Sequence, residues 1–392
     1  MALPRFSLNP QSMSASGPHP SLAGAILTIR LDALQENWRR LAARAGSAEC
    51  GAAVKGNAYG LGIEPVAKAL WAAGCRTYFV ARPAEGGELR AILPREAVIY
   101  VLDGLFPGQA EFYAKEELRP ALISRDEALE WAAFGRGWGR KLPCAIHVDT
   151  GINRLGFFPA AAKALLAESA IIDGLNVALL MSHLACADEP AHPHNAMQRA
   201  AFDDIRALLP GVPASLANSS GIYLGKGFAH ELVRPGIALY GGNPVQGENP
   251  MLPVAHLDGA VLQVRDIAMG ETVGYSATWS ATRPTRIAVL GAGYKDGVPR
   301  ALSSRQADGP AQVFIAGRRC PVVGRVSMDM MAIDITDLPE GAVTRGSRAE
   351  LLGPNISIDE AGRWAGTISY ELLTRLGSRY ARLYSGLDAD SP

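Results

Sequence analysis

This sequence of 392 residues lacks several features that would assign it to a specialised environment. Its five cysteines are scattered and form no C-x-x-C pair, which argues against a paired-cysteine metal motif and predicts buried, reduced thiols. No apolar run reaches about 18 residues without a charge, so no membrane span is expected. The first 24 residues lack the charged and apolar regions of a signal peptide. These absences predict a cytoplasmic protein.

The chain also lacks an excess of charge of either sign. Thirty-eight Lys and Arg residues balance 38 Asp and Glu residues, and no basic stripe with interleaved aromatic residues is present. We therefore expect neither nucleic acid nor an acidic membrane surface as a partner. A hydrophobic fraction of 48% over this length predicts more than one domain, or one large α/β barrel with an addition.

Between about residues 50 and 240, short apolar runs alternate with amphipathic segments. The runs are "GAAV", "TYFVA", "AVIYVL", "RPALIS", "CAIHVD", "NVALLMSHL", "PASLAN" and "ELVRPGIALYG". Near-continuous apolar strands between helices are typical of parallel pairing, and eight such units predict a (β/α)₈ TIM barrel. A doubly wound open sheet is the alternative, but no G-x-G-x-x-G motif follows the first run.

After about residue 255 the pattern changes to alternating, Val-, Ile- and Thr-rich segments that Gly or Pro interrupts. This half predicts a small all-β domain, with a hairpin at "IAGRRC". The run "AILTIRLD" (25–32) precedes the barrel and is expected to pair with that domain. The predicted α/β organisation is a flexible arm over 1–24, the barrel over 25–254 and the β domain over 255–392.

Residues that could take part in catalysis or binding follow the predicted barrel strands, where the catalytic groups of such barrels lie. The stretch "AAVKGNAYGLG" (52–62) is the most unusual of these, because a charged residue, Lys55, follows an apolar strand there. By itself this lysine is either a solvated cap or a placed nucleophile. The residues at the other strand ends are His147, Asp149, Arg154, His183, Ser219, Arg234, Gly236 and Ile237. Because such a residue occurs at one strand end after another, we interpret Lys55 as a placed nucleophile rather than a solvated cap.

A phosphate site is expected on the loops after strands seven and eight of a barrel. Ser219 and the backbone amides of "PGI" lie there, and amides with a hydroxyl suit a phosphate group. A placed lysine together with a phosphate site is typical of an enzyme that uses pyridoxal phosphate (PLP), because the lysine binds the cofactor's aldehyde as an imine.

Eight motifs, in order and spacing, resemble those of bacterial alanine racemase, a fold-type III PLP-dependent family. They are "AAVKGNAYGLG", "HVDTGINRLGF", "MSHLACAD", "LANSSGIY", "VRPGIALYG", "VGYSATW", "GAGYKDGVPR" and "GRVSMDMMAID". The resemblance runs from about residue 25 to 385. It implies a barrel with a C-terminal β domain, and a homodimer with PLP in each barrel mouth and shared active sites.

The resemblance implies roles for the barrel residues. Lys55 matches the lysine that holds PLP and serves as one of two bases. Arg234 matches the arginine that faces the pyridine nitrogen, with His183 beside it. Arg154 resembles the arginine near the cofactor's phenolic oxygen and the substrate carboxylate. The residues that match the phosphate pocket are Tyr59, Ser219, Gly236, Ile237 and Tyr370.

Further roles are implied for the β domain, which the family contributes to the partner's active site. Tyr275 matches the second base, on the opposite face of the α-carbon. Met328 and Asp329 match the carboxylate end of the pocket, and Tyr294 matches its gate. The implied reaction is the interconversion of L-alanine and D-alanine, supplying D-alanine for peptidoglycan.

Some positions depart from the family pattern. His147 stands where many members carry a lysine, often carbamylated, that orients the arginine corresponding to Arg154; we expect Asp149 to support Arg154 instead. Ser327 replaces a common cysteine, and Lys295 and Gly56 are smaller variations. The stretch "SHLACADEPAHPH" (182–194) fits no standard zinc spacing, so no metal is expected and its last histidines are expected to open a helix.

Other functions stay open at this stage. An amino-acid decarboxylase of the same architecture is one alternative, although its glycine-rich phosphate motif and acidic substrate specifier are missing. A non-catalytic PLP carrier is another, but it would resemble the barrel half alone. A racemase of broader specificity is a third. The sequence also leaves open whether the role is biosynthetic or catabolic.

Overall fold

A computed structural model describes residues 14–303 and 310–386 of the chain. They form two compact units: Leu34–Met251 is the first, and the second combines the described residues up to Ala33 with those from Leu252 onward. The segment 25–33, which we assigned to the barrel, therefore lies in the second unit. Residues 1–13 of the expected flexible arm are outside the described part, whereas Ser14–Ser16 forms a strand.

The strands of the described chain are numbered in chain order. They are β1 (Ser14–Ser16), β2 (Ala25–Arg30), β3 (Glu49–Cys50), β4 (Ala52–Ala53), β5 (Thr77–Val80), β6 (Val98–Val101), β7 (Leu118–Leu122), β8 (Pro143–His147), β9 (Asn176–Met181), β10 (Ala214–Ser215), β11 (Leu232–Val233), β12 (Ala255–Ile267), β13 (Thr272–Val273), β14 (Trp279–Ser280), β15 (Thr285–Leu290), β16 (Gln312–Ile315), β17 (Arg318–Val323), β18 (Met331–Asp334), β19 (Arg348–Leu352) and β20 (Ala381–Ser385).

The helices are numbered in the same way. They are α1 (Leu31–Ala45), α2 (Lys55–Tyr59), α3 (Ile63–Ala73), α4 (Pro83–Ile92), α5 (Ala110–Lys115), α6 (Arg125–Gly137), α7 (Pro159–Ala167), α8 (Ser169–Ile172), α9 (Pro193–Arg206), α10 (Lys226–Ala229), α11 (Ile358–Ala365) and α12 (Ser369–Thr374).

The first unit is the predicted (β/α)₈ barrel. Strands β4 to β10 pair in parallel with their neighbours in chain order, and β11 pairs in parallel with β3. Backbone hydrogen bonds close the ring: for example, the Ala53 amide donates to the Pro235 carbonyl at 2.9 Å, and the Arg234 amide donates to the Ala217 carbonyl at 2.9 Å. The strands are nearly continuous apolar runs because helices cover them outside and side chains fill the barrel inside.

Local capping explains where several barrel helices begin and end. The Ser124 hydroxyl accepts from the Glu127 amide at the start of α6. Helix α9 begins after His192, whose ring accepts from the His194 amide, with Pro193 in its first turn. The histidines of "AHPH" thus open a helix, as the sequence predicted. Gly74 ends α3 with a φ of 113°, which a residue with a side chain rarely adopts.

The second unit contains a nine-stranded sheet in the order β1-β20-β2-β12-β15-β18-β17-β16-β19. Strand β2 pairs antiparallel with β12 and parallel with β20, so the segment 25–32 joins the β domain as expected. Strands β16 and β17 form the predicted hairpin, with φ of 49° at Ala316 and 79° at Gly317. Positive φ at both central residues is typical of a type I′ turn, which matches the twist of the strands.

Two short helices, α11 and α12, also belong to this unit, and the alternating pattern did not predict them. The Ser357 hydroxyl accepts from the Glu360 amide at 3.1 Å and caps the start of α11. The Ser-x-x-Glu spacing of a capping box is visible in "SIDE", so the sequence did contain this signal. Helix α12 carries Tyr370, one of the residues predicted for the phosphate pocket.

Candidate active site

Lys55 follows β4 directly and enters a turn of unusual backbone conformation. The next four residues have left-handed φ values of 65° at Gly56, 55° at Asn57, 52° at Ala58 and 54° at Tyr59. Left-handed helical geometry costs a residue with a side chain about 1–2 kcal/mol. Two hydrogen bonds help to hold the turn: the Glu85 carboxylate accepts from the Gly56 amide at 2.6 Å, and Asn57 Oδ1 accepts from the amide that opens α3. Such strain commonly accompanies a functional site.

A small polar cradle forms where the loops after β10 and β11 meet. Ser219 is buried, and its Oγ accepts from the amides of Gly236 at 2.9 Å and Ala238 at 3.3 Å. A Cβ at position 236 would lie 2.3 Å from the Tyr59 hydroxyl, so only glycine fits. The Tyr59 ring stacks on Tyr240 at 4.6 Å between centroids. The cradle therefore brings the Ser219 and Tyr59 hydroxyls together with backbone amides that Ser219 Oγ holds in place.

Arg234 lies buried inside the barrel and is held by two neighbouring strands. Its Nη1 donates to the Ser215 hydroxyl and its Nη2 donates to the Ser182 carbonyl, each at 2.5 Å. The guanidinium carbon is 5.8 Å from the centroid of the Phe79 ring. Burial lowers the pKa of Arg234 to about 10. The side chain therefore stays protonated at neutral pH and supplies a fixed positive charge.

The other titratable groups of the barrel respond to burial and to this positive charge. Burial, with the nearby Arg154 guanidinium, lowers the pKa of the Lys55 amine. Burial and Arg234 hold the pKa of His183 well below its usual value. The same causes lower the pKa of His147 to about 4. Both imidazoles are consequently neutral near pH 7, and Lys55 loses its proton more readily than an ordinary lysine.

The loop that carries Arg154 is organised by Asp149. The Asp149 carboxylate accepts from the amides of Gly151 at 2.9 Å, Asn153 at 3.0 Å and Arg154 at 2.8 Å. Burial raises the pKa of this carboxyl, but the backbone N–H groups of the loop, with that of Ile152 included, outweigh burial and lower it. Among residues 14–303 and 310–386, neither ring nitrogen of His147 has a hydrogen-bond partner. This geometry supports the prediction that Asp149 supports Arg154 in place of His147.

The remaining candidates belong to the second unit. The Tyr294 amide donates to the Ser327 carbonyl, and the Lys295 amide donates to the Met328 carbonyl, each at 3.0 Å. These bonds place the Tyr294 turn beside Met328 and Asp329. Tyr275 is 71% exposed and Tyr370 is 40% exposed. The structure thus divides the predicted residues between a barrel group and a β-domain group.

Several residues that support these groups were not predicted. Ser215 and Ser182 hold Arg234, Glu85 holds the turn after Lys55, and Arg379 joins Asp296 to Asp329. The two serines carried a weak signal, because each interrupts an otherwise apolar barrel strand. Arg379 carried none, since a single arginine in a polar segment is ordinary.

Three other expectations concern features away from these groups. All five cysteines are free; four are buried, but Cys186 is partly exposed and so differs from the expectation of buried thiols. Within residues 14–303 and 310–386, no cluster of three His, Cys, Asp or Glu side chains could hold a metal ion. No helix in the same ranges is long and apolar enough to cross a membrane.

The barrel group fits one class of protein. A lysine at the end of the first strand, a cradle of Ser219 and Gly236 in which a Cβ at 236 would meet the Tyr59 hydroxyl, and a buried cation are what a phosphate-bearing aldehyde cofactor requires. This class is the PLP-dependent barrel enzymes. Family models described as "Alanine racemase, N-terminal domain" and "Alanine racemase, C-terminal domain" match residues 29–244 and 254–384. The chain belongs to the alanine racemase family, as its motifs predicted.

Individual relatives agree with this assignment. The chain is 53% identical to an alanine racemase from Methylobacterium sp. (strain 4-46), over 95% of this chain and all of that protein. It is 48% identical to a protein named "Alanine racemase, catabolic" from Mesorhizobium japonicum, over 93% of this chain and 94% of that protein.

Solved structures agree as well. The alanine racemase from Bartonella henselae, which contains covalently bound PLP, matches with a TM-score of 0.87 and 39% identity, over 93% of this chain and 100% of that one. The biosynthetic alanine racemase from Pseudomonas aeruginosa matches with a TM-score of 0.85 and 35% identity, over the same shares. These matches confirm the predicted fold class of a barrel with a β domain.

Proposed function

We propose that this protein is an alanine racemase that interconverts L-alanine and D-alanine with PLP as cofactor. The observation that carries the proposal is the meeting of Lys55, the Ser219–Gly236 cradle and Arg234 at the ends of barrel strands one, seven and eight. Membership of the family supports the substrate, because the relatives that match nearly the whole chain are named for alanine.

The proposed cofactor site uses the residues of the barrel group together with one from α12. Lys55 would hold PLP covalently, and Arg234 would face the pyridine nitrogen with His183 beside it. Arg154 would lie near the phenolic oxygen and the substrate carboxylate. The residues that would bind the phosphate are Tyr59, Ser219, Gly236, Ile237 and Tyr370. PLP supplies an electron sink that makes the α-proton of a bound amino acid acidic.

Racemisation needs a proton acceptor on one face of the α-carbon and a proton donor on the other. We assign one face to Lys55 Nζ and the other to Tyr275 Oη. The lowered pKa of Lys55 fits this role, because a base must lose its own proton before it can accept another. Each positioned acid or base contributes about 10²–10⁴-fold to the rate.

Arg234 has a further proposed effect on the course of the reaction. With a pKa of about 10 it stays protonated, so a guanidinium facing the pyridine nitrogen keeps that nitrogen unprotonated. The electron sink is then weaker, which favours rapid return of the proton to the α-carbon over transamination. Arg234→Glu is expected to increase transamination side products; an unchanged rate would contradict this role.

We propose that Tyr275, Tyr294, Met328 and Asp329 complete the site of a partner subunit in a homodimer. Tyr275 is 71% exposed, Met328 is 51% exposed, and Met330, two residues further along the chain, is 43% exposed. Large apolar side chains that gather on a surface are typical of a contact with another protein. The expected pocket is therefore formed by two copies of the chain.

The decisive experiment incubates the purified, PLP-loaded protein with L-alanine in deuterated water. Appearance of D-alanine with deuterium at the α-carbon supports the proposal, whereas release of carbon dioxide would instead identify a decarboxylase. L-serine and other small amino acids in the same assay measure how strict the specificity is. Lys55→Ala and Tyr275→Phe are each expected to lose nearly all of the activity.

The same two variants test whether the site is shared. Mixing inactive Lys55→Ala with inactive Tyr275→Phe is expected to restore part of the activity, because a mixed dimer contains one intact pocket. Two Tyr275→Phe preparations mixed with each other serve as the control. Mixed dimers without activity would place both residues of a pocket on one chain.

We further propose that the product D-alanine supplies peptidoglycan. The alternative is that the enzyme serves the use of D-alanine as a nutrient, because some relatives are named as catabolic enzymes. Deletion of the gene is expected to make growth depend on added D-alanine. Normal growth without it, combined with loss of growth on D-alanine as sole nitrogen source, would assign the catabolic role.

A further inference from the structure

A small cavity lies at the end of the barrel opposite the candidate active site, where the chain enters strands β6, β7 and β8. Its volume is about 180 Å³. We call it the floor cavity. Its charged lining residues are Arg90, Arg95, Glu96, Glu117, Arg119 and Arg140, and the rest of the wall is largely apolar. Four arginines and two glutamates thus line one small space.

Two of these arginines have partners that account for their positions. Arg90 is buried and donates to the carbonyls of Pro94 at 2.9 Å, Ala97 at 2.8 Å and Glu116 at 3.0 Å. It therefore closes the wall of the cavity. Arg95 Nη1 donates to the Lys115 carbonyl at 3.2 Å and lies 3.8 Å from Glu117 Oε2, a distance too long for a hydrogen bond.

The other two arginines have few partners. The Nη1 of Arg119 donates to the Tyr100 hydroxyl at 3.1 Å. In the part of the chain that the structure describes, neither Arg119 nor Arg140 has a carboxylate within ion-pair distance, and Arg140 makes no side-chain hydrogen bond. A guanidinium carries five N–H donors, so most of those on these two side chains are available to a ligand.

The arginines of the cluster repel one another electrostatically. The pKa of Arg90 is lowered chiefly by burial, and the charges of Arg95 and Arg119 lower it further, against a raising effect of Glu117. A counter-ion between like charges offsets their repulsion. An anion is the ligand that both relieves the repulsion and accepts the available hydrogen bonds.

We propose that the floor cavity is a binding site for a small oxyanion, held between Arg119 and Arg140 with Arg95 at its edge. The volume equals that of about six water molecules in the liquid, which admits a phosphate or a short carboxylate but no nucleotide. The planar fork of arginine matches the paired oxygens of either group. The site is separate from the Ser219–Gly236 cradle, which lies at the other end of the strands.

The test uses the PLP-loaded protein, so that inorganic phosphate does not enter the proposed cofactor site. Binding of inorganic phosphate and of acetate is measured by isothermal titration calorimetry at an ionic strength held constant with potassium chloride. Calorimetry is preferred to thermal denaturation because phosphate stabilises most proteins without a specific site. The variants are Arg119→Gln and Arg140→Ala, and Arg136→Ala on the same helix-end segment is the matched control, because Arg136 does not line the cavity.

Saturable binding of at least one anion is expected, with a dissociation constant that rises about tenfold or more in Arg119→Gln and in Arg140→Ala. The control is expected to stay within about twofold of the unchanged protein. Arg140 is exposed, so its variant tests the site even if Arg119→Gln fails to fold. Saturation by phosphate alone or by acetate alone identifies the class of oxyanion. Absence of saturation, or equal binding by all variants, would overturn the proposal. The readout is binding, so it does not depend on racemase activity.

Discussion

Arg379 donates a hydrogen bond from Nη1 to Oδ1 of Asp329 over 2.8 Å. The same guanidinium binds both oxygens of Asp296, through Nε at 2.7 Å and Nη2 at 2.9 Å. Asp296 is buried, and its Oδ2 also accepts from the Gly293 amide just before Tyr294. One arginine therefore fixes the orientation of Asp329 relative to the turn that carries Tyr294.

Arg379→Ala is expected to raise the KM for alanine several-fold more than it lowers kcat. Asp329 and the Tyr294 turn would lose their shared anchor, which in the proposed function shapes the carboxylate end of the pocket. The melting temperature should also fall, because Asp296 would be left as a buried, unpaired charge. Steady-state kinetics in both directions measures the effect.

Two further variants of this arginine region separate positioning from general stability. Arg379→Lys is expected to restore the KM only in part. Its ammonium keeps the positive charge, but it cannot bind both carboxylates in the geometry of a guanidinium. Arg363→Ala changes an exposed arginine of α11 and is expected to leave the kinetics unchanged. A lower melting temperature with an unaltered KM in Arg379→Ala would assign Arg379 a structural role alone.

Gly236→Ala is expected to weaken binding of PLP by about tenfold or more. The added Cβ would lie 2.3 Å from the Tyr59 hydroxyl, so the cradle formed with Ser219 would have to open. Absorbance titration of the cofactor-free protein with PLP gives the dissociation constant. Gly137→Ala is the control, because a Cβ there meets no atom within 4 Å. Equal affinities in the two variants would show that the close approach of Gly236 to Tyr59 is unimportant.

The pH dependence of stability should reflect His147. Its pKa is lowered to about 4, so between pH 6.5 and 4 the unfolded chain binds this proton more readily than the folded protein. Stability is therefore fully present above pH 6.5 and falls as the pH decreases, by on the order of 3 kcal/mol from this group. His147→Leu is expected to reduce the loss of stability between pH 7.5 and 5 in urea unfolding. Parallel losses in both proteins would contradict the prediction.

Asp258 on β12 should have the opposite effect. Burial, together with repulsion by Glu350 and against attraction by Arg348, raises its pKa to about 6. The folded protein then binds this proton more tightly than the unfolded chain, so the contribution to stability is present below pH 3.8 and is lost as the pH rises through 6. Asp258→Asn is expected to stabilise the protein by about 1–3 kcal/mol at pH 8 and by less at pH 5. Urea unfolding at the two pH values tests this; an equal change at both would exclude it.

Much of the fold could be predicted because barrels and β domains have different local periods. Each predicted barrel run contains a strand, from Ala52–Ala53 to Leu232–Val233, and the hairpin at Ala316 and Gly317 follows from its sequence. The helices α11 and α12 were missed because short helices in an alternating region do not disturb the overall pattern. Their existence depends on packing within the second unit rather than on periodicity.

The site could be predicted as a set of positions but not as a set of contacts. Lys55, Ser219 and Arg234 are recognisable since each follows or lies on an apolar strand, where a barrel exposes its catalytic groups. Their partners were not recognisable. Glu85 reaches Gly56 from 29 residues away, and Ser215 holds Arg234 over 19 residues. Such pairs leave no mark in the local sequence.

By itself the sequence determined the alternation of strands and helices in the barrel, the change to a β domain, the family and the residues expected to carry the chemistry, because hydrophobic periodicity and motif spacing are local properties of the chain. Only the tertiary structure decided the left-handed turn at Gly56–Tyr59, the closeness of Gly236 to Tyr59, and the bridge from Arg379 to Asp296, which lie 83 residues apart. Each of these depends on contacts between distant segments, and such contacts exist only after the chain has folded.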